Sequence, residues 1–257
     1  MTLQVLIATM HQIDHSLLEK MNIQSDAVVI NQCDRDEIER FKYEGHNILW
    51  MSLRERGIGL SRNTALMRAT ADIVLFADED VRYLDGYPQM IMSAFENNSN
   101  ADILLVDLEA VGAVKNHDKP YTSRRIKWYN SMHYGAVHFA CKRESLFAKG
   151  LSYNLLFGGG ARYSCGEDSI FLAGALKAGL KVWTVPGYIG TVTHGDSTWF
   201  QGYTDKYFYD KGVLMGNVFG TMAYPLVFAL FLKNKSQTEK YGFGKAVKKA
   251  FEGIKQR

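Results

Sequence analysis

The chain has 257 residues, 47% hydrophobic and 22% charged, which supplies a core and excludes a disordered or fibrous protein. Thirty Lys and Arg against 27 Asp and Glu leave a formal charge of +3, too mild a surplus to argue for nucleic acid as a partner. Three widely spaced cysteines, Cys33, Cys141 and Cys165, form neither a disulfide framework nor a zinc pattern and suit a reducing compartment.

"LQVLIAT" (3–9) predicts a first strand, and the N-terminus lacks the basic flank and cleavage site of a signal peptide. A helix is expected at 14–22, a strand at 27–33 ("AVVINQC") and a helix at 35–42. Strands follow at 47–52 ("NILWMS"), 72–77 ("DIVLFA") and 102–108 ("DILLVDL"), with helices at 61–69 and 86–97. Short β-branched runs alternating with helical stretches predict an α/β fold with a largely buried sheet. In such sheets ligands bind at the carboxyl ends of the strands.

"LFADEDV" puts Asp78, Glu79 and Asp80 at one of those ends. Carboxylates two residues apart offer hard oxygen ligands to Mg²⁺ or Mn²⁺, through which a phosphate-bearing substrate is held. The same residues also suit a solvated loop or the acidic start of a helix. The preceding "ERGIGLSRN" has neither the Gly-X-Gly-X-X-Gly nor the Gly-Lys-Ser/Thr spacing and no strand directly ahead, which argues against a dinucleotide site. "DKPYTSRRIKWYN" (118–130) interleaves Lys119, Arg124, Arg125 and Lys127 with aromatics, and reads as a lid, an acceptor surface or a solvated connection.

"GGGARY" (158–163) reads as a flexible loop. Glu167 and Asp168 then open a helix with a buried stripe of Ile170, Phe171, Ala175 and Leu176, which Gly179 caps before the strand "KVWTV". The helix N-terminus favours an ionised Asp168 at neutral pH. His194, Trp199 and Phe200 stand in the loop beyond; the aromatics can stack on a sugar or anchor a core.

The segment from Gly57 to Val81, with Arg62-Asn63 on a helix ahead of a strand ending in Asp-X-Asp, resembles the nucleotide-sugar-binding half of family-2 glycosyltransferases. The Glu-Asp helix after a glycine-rich loop is similar to their acceptor side. The resemblance implies a GT-A fold, a Rossmann-like mixed sheet flanked by helices, over residues 1–205, with a helical extension over 206–257. It implies metal-dependent, inverting transfer of a sugar from a nucleotide diphosphate donor, UDP by default, to a glycan or lipid-linked acceptor in surface polysaccharide synthesis. By the same resemblance Thr9, Asp34, Arg62, Asp78 and Asp80 meet the donor, Asp80 and His194 hold Mn²⁺ or Mg²⁺, Asp168 is the general base, and Glu167 and Trp199 meet the acceptor. The chain departs from the family pattern where an Asp-rich loop after the second strand shrinks to Asp34. A nucleotidyltransferase, or a non-catalytic carbohydrate-binding or membrane-scaffold protein on the same fold, is the alternative.

The C-terminal stretch differs in composition. Residues 212–232 carry no charge and approach bilayer-spanning length, but Gly212, Gly216, Asn217, Gly220 and Pro225 dilute them and predict a break at the proline. Beyond, Phe243, Val247, Ala250, Phe251 and Ile254 recur at helical spacing among Lys245, Lys248, Lys249 and Lys255. That is a basic amphipathic helix, suited to an anionic membrane surface or to packing on the domain. The expected location is the cytoplasm, with peripheral contact at the inner face of the cell membrane.

Overall fold

The structure is a computed structural model and describes residues 1–112, 120–193 and 202–256. The chain begins with β1 (Leu3–Met10), a four-residue helix α1 (Leu17–Lys20) and β2 (Asp26–Gln32). A hairpin of β3 (Glu37–Tyr43) and β4 (His46–Leu53) follows, then α2 (Ile58–Arg68), β5 (Ile73–Asp78), β6 (Val81–Tyr83), α3 (Tyr87–Asn97) and β7 (Ile103–Val111). The second half holds β8 (Arg124–Arg125), β9 (Phe139–Lys142), α4 (Arg143–Ala148), α5 (Glu167–Lys177) and β10 (Val182–Thr193). Four helices close the chain: α6 (Asp205–Phe219), α7 (Ala223–Lys233), α8 (Lys235–Thr238) and α9 (Phe243–Ile254).

The described strands form one mixed sheet in the order β3-β4-β2-β1-β5-β9-β7-β10-β6, with β8 paired to β10. The β4-β2-β1-β5 block is parallel, whereas β9 runs antiparallel to both β5 and β7. Successive residues feed opposite faces, as a two-residue period requires. Val5, Ile7, Leu75 and Ala77 join the core under α1 and α3, while Leu6, Val74 and Phe76 join the core under α2, α4 and α5. Both faces are covered, which is why the central strands read as unbroken apolar runs.

Residues 35–42, expected as a helix, instead lead into β3. Its alternation is the reason: Phe41 and Tyr43 pack on the core while Ile38, Arg40 and Lys42 are exposed. Glu44 and Gly45 take φ of 48° and 88°, a two-residue turn of left-handed residues that closes the hairpin at the Tyr43–His46 pair. The last strand also outgrows its predicted span, since β10 runs on past a bulge at Pro186 and Gly187 to pair with β6.

The apolar stretch near the C-terminus is long and apolar enough from Asp205 to Lys233 to cross a membrane by length and composition. It breaks at Gly220, φ 60°, rather than at Pro225, which sits in the first turn of α7 where its missing N–H costs nothing. α6 and α9 cross at contact distance: a Cβ at Gly212 would overlap the Ala250 carbonyl, and one at Gly253 would overlap the Tyr209 carbonyl. The apolar stripe of α9 is thereby spent inside the protein, with Ala246, Ala250 and Ile254 buried against Phe208, Val227 and Phe231. Of the two uses open to that stripe, the described structure shows packing.

Candidate active site

The carboxyl ends of β1, β2 and β5 open on a cleft of about 810 Å³, walled opposite by the 158–166 loop and the start of α5. Thr9, Arg62, Asp78, Asp80, Glu167 and Asp168, singled out from the sequence, all line it. Two glycine clusters far apart in sequence meet at its rim. The Ile58 N–H donates to the Gly159 carbonyl at 3.1 Å, and a Cβ at Gly158 would press on Ile58 and on the Glu167 carboxyl. "GGGARY" is therefore fitted backbone against the α2 N-terminus, and the absence of side chains is what permits the approach.

Arg62 is the hub. It projects from α2, is 3% exposed, and its Nη2 donates to both oxygens of Asp78 at 3.0 Å. Its Nη1 donates to Glu167 Oε1 at 3.1 Å and to Asp168 Oδ1 at 2.8 Å, and the guanidinium lies over the Tyr153 ring. Burial would lower its pKa, but Asp78, Asp168 and Glu167 hold it well above the ordinary arginine value. One rigid fork thus ties the end of β5 to the start of α5. Arg62, expected at the donor, lines the cleft with both terminal nitrogens engaged by carboxylates.

Asp34 departs from expectation. Its side chain is 93% exposed and pairs at 2.7 Å with Arg56, and Arg56, not Asp34, lines the cleft. Arg56 is further held by the Cys33 and Arg54 carbonyls at 3.0 Å. Thr9 is buried and donates its hydroxyl to Glu79, which also accepts from Gln12 Nε2 at 2.9 Å and the Met10 N–H at 3.3 Å. Glu79, the middle carboxylate, is thus a link between β5 and the end of β1, a role that nothing in its sequence position signals. Its partner Gln12 was equally silent, being one polar residue in a loop.

Asp80 lines the cleft, and its carbonyl accepts from the Thr193 N–H at 3.1 Å. Among the described residues no three His, Cys, Asp or Glu side chains cluster as metal ligands. His194, Trp199 and Phe200 lie outside the described residues, as does Lys119. The remaining basic and aromatic residues of 120–130 do not line the cleft. Arg124 and Arg125 instead pair with β10, and Arg124 donates to the Tyr134 hydroxyl at 2.9 Å.

Asp168 is where local and tertiary effects disagree. Its carboxyl is pushed up to about 7, chiefly by burial and further by Glu167 and Asp78, against the opposing pull of Arg62 and of the Ala136 N–H. The expectation of a fully ionised carboxylate rested on the helix N-terminus alone. Desolvation among three carboxylates that share one cation outweighs that dipole. A Cβ at Gly135 would touch the same carboxylate, so the 135–136 turn packs against Asp168, a neighbour that spacing gave no means of finding.

The 158–166 loop is held from behind by the extension. Asp210 of α6, itself buried, accepts from the Ser164 N–H and hydroxyl at 3.1 Å and from Lys206 at 2.6 Å. A Cβ at Gly166, φ 109°, would strike Leu214 of α6.

A family model described as "Glycosyl transferase family 2" matches residues 11–151. The chain belongs to glycosyl transferase family 2. The match takes in the α2–β5 segment of this transferase and stops short of Glu167 and Asp168. Among solved structures, the fold is similar to S. aureus TarS 1–349 in complex with UDP-GlcNAc, with 16% identity and a TM-score of 0.61 over 84% of this chain and 66% of that one. TarS 1–349 in complex with UDP gives 16% identity and 0.59 over 84% and 65%. A longer TarS structure gives 15% and 0.60 over 84% and 39%. The chain thus spans just under two thirds of the TarS 1–349 chain, and the likeness is one of fold, the GT-A mixed sheet with helices at the C-terminus. No curated protein matches the sequence.

Proposed function

We propose that this family-2 transferase moves a sugar from a nucleoside diphosphate sugar, most simply UDP-linked, to a hydroxyl of a glycan or lipid-linked acceptor with inversion, in surface polysaccharide synthesis. The observation that carries the reading is the Arg62 bridge, which joins a carboxylate at the end of β5 to a half-buried carboxylate at the start of α5 across one cleft. Similar structures holding UDP-GlcNAc and UDP support the donor class. In this reading the β1 and β5 ends, with Thr9, Asp78, Asp80 and Arg56, receive the donor; Asp34 acts through Arg56, and Arg62 orders carboxylates rather than touching the nucleotide.

Asp168 Oδ takes the proton of the acceptor hydroxyl as that oxygen bonds to the anomeric carbon from the face opposite the diphosphate. The bond from that carbon to the diphosphate oxygen breaks, and the nucleoside diphosphate leaves with the electron pair. A carboxyl near 7 suits this task, since it is substantially ionised at neutral pH yet basic enough to bind the proton. Glu167 stands beside it on Arg62, where it can orient the acceptor. Asp80 supplies a hard carboxylate on the cleft wall, and Mg²⁺-class ions take only one or two protein carboxylates beside substrate phosphates, so the donor set fits such a cation, with His194 as a further candidate. When bound, the cation would offset charge on the departing diphosphate.

The reading treats 1–205 as the transferase domain and 206–257 as its helical support, consistent with the reach of Asp210 to the site loop. The unpaired thiols support a cytoplasmic setting. Calorimetric titration with UDP, GDP and dTDP, each with Mn²⁺ and with EDTA, tests the donor assignment. One nucleotide should bind in a metal-dependent way, and Asp80→Ala should abolish the metal dependence. A folded sample that binds none of the three defeats the reading.

A further inference from the structure

α7 is apolar on both sides, but only one side is covered. Ala223, Val227 and Phe231 are buried against α6 and α9, while Met222, Pro225, Phe228, Ala229 and Leu232 form an exposed stripe at i, i+3, i+6, i+7 and i+10. Met222, Phe228 and Leu232 are 45–54% exposed. Trp128 and Tyr129, 54% and 61% exposed, extend the patch, with Trp128 stacking edge-on to Phe219 at 6.0 Å where α6 ends. An exposed apolar surface of this kind marks an interaction site.

Charge says what covers it. From 206 to the C-terminus there are ten Lys and Arg against three Asp and Glu, whereas the first 205 residues carry twenty against twenty-four. Lys233 and Lys235 are exposed at the end of α7, and Arg124, Arg125 and Lys127 are exposed beside Trp128. An apolar stripe bordered by cations complements an anionic bilayer surface, with rings and aliphatic chains at the acyl boundary and ammonium groups among the head groups. The eleven residues of α7 extend about 16 Å, half a hydrocarbon core of about 30 Å, so α7 by itself is too short to cross one.

We propose that α7, with Trp128 and Tyr129, is the surface by which the protein docks on anionic membranes, and that α9 contributes positive charge but no inserted side chains. The experiment is flotation of the full chain with vesicles of phosphatidylcholine alone and with vesicles also containing phosphatidylglycerol. Wild type should float with the anionic vesicles only. Phe228→Glu combined with Leu232→Glu, 45% and 47% exposed, should cut partitioning at least ten-fold while the variant still unfolds cooperatively, Phe228 giving up its edge-on contact with Phe243; Lys233→Glu with Lys235→Glu should weaken it and flatten its salt dependence. Failure of wild type to float with either vesicle overturns the proposal. So does undiminished flotation of the Phe228/Leu232 variant, or a wild-type dimer by light scattering that this variant abolishes, which would give the stripe to a second copy. No sugar nucleotide enters the assay, so its outcome is separate from that of the donor titration.

Discussion

At the scale of single residues, one cation, Arg62, serves three carboxylates. Arg62→Ala leaves Asp78, Glu167 and Asp168 partly buried without their common partner, and breaking a buried ion pair from one side costs about 3–5 kcal/mol. Denaturant unfolding should show a loss of that order, and Arg62→Lys should recover part of the stability but little transfer, since an ammonium cannot fork to both sides. Asp168→Asn should abolish transfer and leave nucleotide affinity nearly intact. Wild-type rate should rise with pH through an inflection near 7, the position to which burial pushes Asp168. The stability sign is opposite to that of an ordinary salt-bridged aspartate. Between 3.8 and about 7 the native protein holds a proton that the unfolded chain has released, so stability relative to Asp168→Asn falls as pH rises through that window. A flat stability difference across it, from unfolding curves at several pH values, would contradict the assignment.

At the scale of elements, the α5 side of the cleft is held by a helix outside the span that the family model matches. Asp210 of α6 fixes Ser164, and Leu214 fills the space at Gly166, immediately ahead of Glu167 and Asp168. Asp210→Ala deprives the Ser164 N–H of its partner at a cost of about 1–3 kcal/mol. It should lower kcat with little change in nucleotide affinity, because the proposed donor contacts lie at the ends of β1, β2 and β5. Asp210→Asn, which retains one acceptor oxygen, should restore part of kcat; equal damage by both substitutions to kcat and to nucleotide binding would mean that α6 merely stabilises the whole molecule.

At the scale of the whole molecule, the extension and the sheet domain form one continuous set of contacts. Removing residues 240–257 would uncover Phe208, Val227 and Phe231, which α9 now shields, and each fully buried side chain of this class is worth about 1.5–3 kcal/mol. The truncated chain should show a lower Tm and a tendency to aggregate rather than a simple loss of surface charge. Unchanged thermal unfolding after truncation would show that α9 is a dispensable tail.

The sequence by itself determined the elements whose signals are local. The β-branched runs of β1, β2, β4, β5 and β7, the Arg-Asn helix ahead of Asp-X-Asp and the Glu-Asp start of α5 were all legible, because strand and helix periodicity depends on near neighbours. The β3 hairpin was not read: 35–42 was expected as a helix, because a charge-rich segment masks the alternation of an edge strand. Only the tertiary structure decided where shared partners fall. Glu79 turns to Thr9, Asp34 gives way to Arg56, the two glycine clusters meet, and Arg62 spends its donors on carboxylates 16, 105 and 106 residues away. The pKa of Asp168 is likewise a property of the assembled cleft, since desolvation and the charges that oppose it exist only once α2, β5 and α5 have come together.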